Sequence, residues 1–305
     1  MRFSHLLAAA GFALGLAQSA SAADADWAKV ADALGKSGTE MPGGVYRVGL
    51  PRTDLHVTLD GVAIKPTLAL GSWLAFQSNG DATVVMGDLV LTEAEIEPVM
   101  KKLAEGGIEI TALHNHLLRA QPATFYMHVL GHGDPAKLAA ALHDGLALSG
   151  TPLGSAAAST SSQPPAGGAA QAQALDLDTA MIDRTLGAKG KAVGGVYQVS
   201  VPRAEVIHDS GMEVPVAMGS AEAINFQPTG GGRAAITGDF VLTAKEVNPV
   251  LRALRENGIE VTALHNHMLD DQPRLFFMHF WSNDDAQKLA RGLRTALDRV
   301  NVTRS

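Results

Sequence analysis

The sequence predicts an α+β fold: two tandem copies of one domain, each a mixed β-sheet with helices packed on it, forming a pseudo-dimer within one chain. The first observation behind this is an internal repeat. Gly43-Gly44-Val45-Tyr46 recurs as Gly194-Gly195-Val196-Tyr197, an offset of 151 residues. The same offset carries Gly87-Asp88 onto Gly238-Asp239, Ala112-Leu113-His114-Asn115-His116 onto Ala263-Leu264-His265-Asn266-His267, Gln121-Pro122 onto Gln272-Pro273, and Met127-His128 onto Met278-His279. One long period means two whole domains, because a solenoid of short units needs several copies. The second observation is that strand-like alternation and helix-like periodicity occur in the same order in both copies. The third is that residues 149–175 are almost entirely Ala, Ser, Gly, Pro, Thr and Gln, the composition of a flexible linker. The expected plan is a signal peptide at 1–22, a first domain at 23–148, the linker at 149–175 and a second domain at 176–305.

Each copy opens on a short helix. Trp27, Val30, Ala31 and Leu34 end at Gly35, and Ala180, Met181, Ile182 and Leu186 end at Gly187. Lys36-Ser37 is not a phosphate loop, because Val30 stands where the first glycine is required. Alternation predicts strands near 45–50, 70–77 and 83–91, with counterparts in copy two. An amphipathic helix follows, its apolar stripe made by Ile96, Val99, Met100 and Leu103, and by Val247, Val250, Leu251 and Leu254. Gly106-Gly107 and Asn257-Gly258 close it. Its start has two readings. Thr92 with Glu95 and Thr243 with Glu246 make capping boxes, whereas Pro98 and Pro249 suit a first turn capped by Glu97 and Asn248. Strands at 109–116 and 124–130 come next, then a last helix from Asp134-Pro135 to 148, matched at 285–300. The strand, helix, strand segment 85–116 predicts two strands running parallel through a right-handed crossover, and the short return at Gln121-Pro122 predicts an antiparallel last pair. The helices are expected on one face.

Lys and Arg number 24 against 31 Asp and Glu, a net charge of −7. Arg2, the apolar run 6–17 and Ala20-Ser21-Ala22 read as a cleaved secretory signal, whose removal leaves 23 against 31. The apolar run is about half of the roughly 20 residues that span a bilayer, so no stable membrane anchor is expected. The expected location is periplasmic or secreted. An acidic chain without a Lys/Arg block repels phosphate backbones, so nucleic acid is excluded as a partner, and a small molecule is the expected ligand. Zero cysteines exclude disulfides, thiolate catalysis and cysteine-ligated metal.

Six of the eleven histidines keep the repeat register: His114, His116 and His128, then His265, His267 and His279. In a strand, His114 and His116 point to one face, and an antiparallel return brings His128 opposite them. The expectation is a three-histidine divalent metal site in each repeat, the ligand count with which catalytic zinc keeps a position open. Zinc comes first, and copper and iron also take imidazole. The alternative is a set of structural histidines satisfied by hydrogen bonds. Asp88 and Asp239 are the catalytic candidates, as general base, histidine orienter or fourth ligand; otherwise they are strand-end turn residues. Glu95 and Glu246 have their capping role. Arg52 and Arg203 either hold a substrate carboxylate or pair with an acid. Tyr126 is a proton donor or a packing residue, and Phe277 replaces it in copy two. The loop Leu117-Leu118-Arg119-Ala120 against Met268-Leu269-Asp270-Asp271 predicts unequal sites, with tighter metal at His265 and an anionic substrate at His114.

Gly-Asp-[Leu/Phe]-Val-Leu-Thr, the amphipathic helix, Gly-Ile-Glu-[Ile/Val]-Thr-Ala-Leu-His-Asn-His, Gln-Pro and the closing Met-His resemble the LppY/LpqO family of exported bacterial proteins, over residues 27–148 and 178–300. The resemblance implies the duplicated plan and export, and it names no activity. Members often carry a lipidated cysteine near the N-terminus, which this chain lacks. The functions in view are a zinc-dependent hydrolase or lyase acting on a small molecule, a non-catalytic zinc or copper binding or buffering protein, and an envelope module binding a small molecule or partner with structural histidines. Neither His-Glu-x-x-His nor a nucleophile elbow is present.

Overall fold

The computed structural model describes residues 26–79, 82–154 and 175–303. The expected signal peptide and most of the expected linker lie outside the described residues. The first repeat runs α1 (Trp27–Leu34), β1 (Thr39–Met41), β2 (Val45–Pro51), β3 (Thr58–Leu59), β4 (Val62–Ala63), α2 (Pro66–Ala69), β5 (Gly71–Asn79), β6 (Ala82–Thr92), α3 (Glu93–Glu105), β7 (Glu109–His114), β8 (Thr124–Gly133) and α4 (Pro135–Leu146). The second runs α5 (Thr179–Leu186), β9 (Lys191–Val193), β10 (Val196–Pro202), β11 (His208–Asp209), β12 (Met212–Glu213), a 3₁₀ turn at Val216–Met218, β13 (Ala221–Gly230), β14 (Arg233–Thr243), α6 (Ala244–Glu256), β15 (Glu260–His265), β16 (Asp271–Gln272), β17 (Leu275–Asp285) and α7 (Ala286–Leu297). Two repeated domains of sheet and helix are thus present, as the repeat requires.

The strand orders are β1-β2-β5-β6-β8-β7 and β15-β17-β14-β13-β10-β9. β6 and β7 are each antiparallel to β8, so they run in the same direction, as the crossover through α3 demands. β8 is inserted between them. It is apolar and buried along nearly its whole length, whereas β7 leaves Leu113 exposed and takes the sheet edge.

Alternation divides each strand between two environments. Val85, Leu89 and Leu91 of β6 meet Val30, Leu34, Val99, Leu103, Leu142 and Leu146 of the helices. Val84 and Met86, on the opposite face, join Val241, Met268, Leu275 and Phe277 of the second repeat. The helices are therefore on one face of each sheet, and the two free faces pack against each other. A sheet buried on both sides explains why β6 is buried without a break from Thr83 to Leu91. Polar ties cross the interface: Gln227 Oε1 accepts from the Lys65 amide at 2.9 Å, its Nε2 donates to the Ala63 carbonyl at 2.7 Å, and Trp281 Nε1 donates to Asp60 at 3.0 Å.

The capping boxes set the start of α3 and α6: the Thr92 and Thr243 amides each donate to the following glutamate at 2.7 Å, and Pro98 and Pro249 lie inside the helices. Residues 149–154, given to the linker on composition, are fastened to the first domain. The Gly150 amide donates to Glu95 Oε1 at 2.6 Å and Thr151 is buried. Among the described residues no helix is long and apolar enough to cross a membrane.

Because each repeat alone would expose the apolar face that meets its twin, halves spanning 26–154 and 175–303, expressed as separate chains, are expected to combine one to one. Light scattering on the equimolar mixture checks this; two independent monomers at micromolar concentration would count against it.

Candidate metal centre

The edge strands β7 and β15 meet where the two sheets face each other. Thr111 Oγ1 donates to the His267 carbonyl at 2.5 Å, and Asn266 Nδ2 donates to the Thr111 carbonyl at 3.2 Å. The asparagine of the second His-Asn-His is therefore an interface tie. A register shift between Ile110 and Ala112 sets Ala112 opposite His128 and His114 opposite Tyr126, so the register differs by two residues from the one the return turn suggested. β7 also stops at His114, leaving His116 in the following loop. Residues directly opposite share a face. Asp88, opposite His128 on its other side, therefore points the same way, toward the second repeat. Asp239, His279 and His265 repeat the pattern.

Sequence reasoning places three histidines in each repeat; the fold brings all six together. Three stacked pairs form a row, each pair with one ring from each repeat. The centroids are 3.5 Å apart for His116 and His279, 3.4 Å for His114 and His265, and 3.7 Å for His128 and His267. His114 is central, 4.9 Å from His116 and 5.0 Å from His128. Two pseudo-symmetric sets of four imidazoles result, His114, His116, His265 and His279, and His114, His128, His265 and His267. Within each set the ligand atoms lie within 4.8 Å of one another. Asp88 joins His116 and His128 at the same spacing, and Asp239 joins His265, His267 and His279.

All six Nε2 atoms are buried and, among the described residues, without a hydrogen-bond partner. Native interiors rarely leave one such group unmet, so six converging on one place is the signature of a ligand set. Nδ1 of His279 lies 3.0 Å from the Gly238 carbonyl and that of His265 lies 3.0 Å from the Asn266 carbonyl. A carbonyl only accepts, so Nδ1 carries the proton and Nε2 turns its lone pair into the cluster. His279 Nδ1 is also 2.9 Å from Asp239 Oδ1, a contact that supports the same tautomer. Gly238 itself has no room for a Cβ, which would run into the Ala223 carbonyl, and this close approach explains the Gly-Asp pair.

Burial, then the neighbouring imidazoles, pushes His114, His116, His128 and His267 far below the ordinary histidine range, and burial first pushes His265 down to about 4. Burial raises Asp88 well above the carboxylate range, Asp239 across the interface adds to this, and Arg47 opposes it. The sign for metal-stripped protein follows. Below about pH 6.5 the unfolded chain takes up protons that the folded cluster refuses, so stability falls as pH falls, by up to about 1.4 kcal/mol per pH unit for each such histidine. Urea midpoints of stripped protein at pH 7.5 and 5.5 check this; equal midpoints would contradict it.

The two ends of the row differ. A cavity of about 520 Å³ between the sheets reaches His116 and His279 and is lined by Asp88, Asp239, Tyr126, Arg47, Trp73 and Thr237. At the other end, His128 and His267 face a space of about 20 Å³ walled by Met86, Met218, Met268 and Trp73. The cause is legible in the register. Trp73 sits opposite Asp88, and Ala223 sits opposite Asp239. Trp73 and Met86 fill one end, whereas their repeat equivalents Ala223 and Thr237 leave the other open.

Residues 28–148 and 180–299 match the family described as Domain of Unknown Function (DUF1259), which covers both repeats. The chain belongs to the DUF1259 family. No curated protein matches it. Among solved structures, the trimeric bacterial microcompartment shell protein PduB is 13% identical with a TM-score of 0.20, covering 86% of this chain and 93% of that one. EtuB from Clostridium kluyveri is 7% identical with a TM-score of 0.20, covering 86% and 90%. At that score neither likeness carries an argument.

In this DUF1259 chain the remaining candidates sort by contact. Arg52 is buried away from the cavity; it donates to both oxygens of Asp54 and of Glu95, at 2.8–3.0 Å, and to the Val90 carbonyl. Arg203 repeats this with Glu205, Glu246 and Val241. Both arginines fasten a strand end to a helix start. Tyr126 lines the cavity, its ring 3.4 Å from that of His116 and its hydroxyl donating to the Ala69 carbonyl at 2.6 Å. The loop charges do not reach the cluster. Arg119 is exposed between Asp60 and Glu260, and Asp271 is buried against the Leu275 amide and Arg274. The two ends of the row differ in open space because of Trp73 and Met86, and the loops take no part in that difference. Arg47, Trp73 and Asn225 escaped sequence reasoning, which followed what the repeats share; their signal is that the repeats differ there, with Gln198, Ala223 and Ala75 at the equivalent positions.

Proposed function

We propose that this chain is an exported, LppY/LpqO-like metalloprotein whose two repeats jointly hold divalent ions of the zinc class, and that it acts as a hydrolase or lyase on a small molecule in the cavity beside His116 and His279. The observation that carries this is the convergence of six buried, unpartnered Nε2 atoms drawn from both repeats. Histidine-only donors fit zinc, with copper and iron as the other imidazole-loving choices. A bound ion there supplies Lewis acidity and activated water. The chain's own contribution is the rest. Carbonyls at Gly238 and Asn266 fix ring tautomers, Asp88 stands at the cavity wall beside His116, and the packed sheets limit water to one side. Arg2, the run 6–17 and Ala20-Ser21-Ala22 support export to the periplasm or beyond.

Metal holding without catalysis is the second reading, favoured by the sets of four imidazoles, since four protein ligands close a zinc site. Stoichiometry separates the two. About two zinc ions per reconstituted chain leave three imidazoles each and an open position; about one ion with four ligands supports storage. Less than about half an equivalent of zinc, copper or iron would end both readings.

A further inference from the structure

Arg47 projects from β2 toward the second repeat, its Cζ 4.0 Å from the centre of the Trp73 ring and one nitrogen donating to the Ala217 carbonyl. Among the described residues no carboxylate forms an ion pair with it, although it is largely buried and lines the cavity. Asp88 on the same wall feels the Arg47 charge without forming an ion pair with it, so a guanidinium with N–H donors to spare is left to gain from a carboxylate in direct contact. Lys191, from the second repeat, lines the same cavity, and among the described residues it too has no ion-pair partner. The copy-two equivalent of Arg47 is Gln198, so a positive charge here is not a requirement of the fold.

We infer that Arg47, stacked on Trp73 and joined by Lys191 at the rim, is the subsite for the carboxylate of a small organic acid whose other end reaches His116 and His279. This rests on the proposed function in taking the cavity as the substrate site. A planar guanidinium fork suits a carboxylate, and Trp73 with Leu68 and Ala69 offers apolar wall to the body of the acid. Substrates would then be monoanionic or dianionic acids that also carry a carbonyl, ester or amide. Neutral compounds of the same shape would be poor.

The test uses benzoate and its neutral isostere benzamide, titrated calorimetrically into the full-length zinc-treated protein, with zinc counted on the same samples. Benzoate is expected to bind saturably and at least about tenfold more tightly than benzamide, a preference that Arg47→Gln abolishes. Gln198 at the equivalent position makes that variant one the fold already tolerates. Ala223→Trp, which copies Trp73 into the open end, is expected to block benzoate while leaving zinc content unchanged. Benzoate bound equally by wild type and Arg47→Gln, or not bound by wild type, would overturn the subsite. A lack of zinc in samples that still bind benzoate through Arg47 would instead defeat the metal reading and leave this one standing.

Discussion

The double variant His114→Ala/His265→Ala is expected to strip the chain of both ions, whereas His116→Ala and His267→Ala each remove one. His114 and His265 belong to both four-imidazole sets, so removing both leaves each ion only two imidazoles. His116 serves only the set beside the cavity, and His267 only the set walled by methionines. Zinc content should fall from about two per chain to below about half for the double variant and to about one for the end variants. Stability reports the same ranking, because an ion at a thousand times its Kd stabilises by about 4 kcal/mol. The zinc-dependent rise in melting temperature should vanish in the double variant and be cut by about half in the other two. Equal losses in all three variants would mean that the row is not organised around a central pair.

Arg203→Ala is expected to be the most destabilising single change outside the cluster, at about 3–5 kcal/mol, the usual cost of leaving buried carboxylates without their cation. Its guanidinium is 2.9 Å from Glu246, 3.0 Å from Glu205 and 3.9 Å from Glu222, and the Glu222 side chain is fully buried. Glu222 accepts from the Val241 amide at 2.7 Å, the bond that Ser72 makes to the Val90 amide in the first repeat at 2.8 Å. Arg52→Ala should therefore cost less, since no third carboxylate is stranded there. Adding Glu222→Ser to Arg203→Ala should recover part of the loss. Urea denaturation of the four proteins checks the order, and an Arg203→Ala protein as stable as wild type would contradict it.

What could be read from the chain, and what could not, follows from the range of the forces involved. The helix ending at Gly35 and the capping boxes at Thr92 and Thr243 rest on local rules, and each is where those rules put it, whereas the six register-matched histidines converge in one cluster rather than in a triad per repeat. The irregularity at Thr111 shifts the pairing of β7 with β8 by one residue along the strand, and no composition signal marks a bulge. The pairing of His114 with His265 depends on how two sheets meet, which a repeat cannot reveal, because duplication copies a side chain and not its partner. Arg119 shows the same limit: its charge looked local, and it is spent on Glu260, 141 residues away. The cavity was hidden for the opposite reason, since Trp73 and Ala223 are where the copies disagree.

Anomalous diffraction at the zinc edge from crystals of the loaded protein tests the shared centre most directly. Two peaks are expected a few ångströms apart, on the line from the His116–His279 pair to the His128–His267 pair, each within bonding distance of imidazoles from both repeats. One peak inside each repeat, ligated only by that repeat's own residues, or no peak between the sheets at full zinc loading, would contradict it.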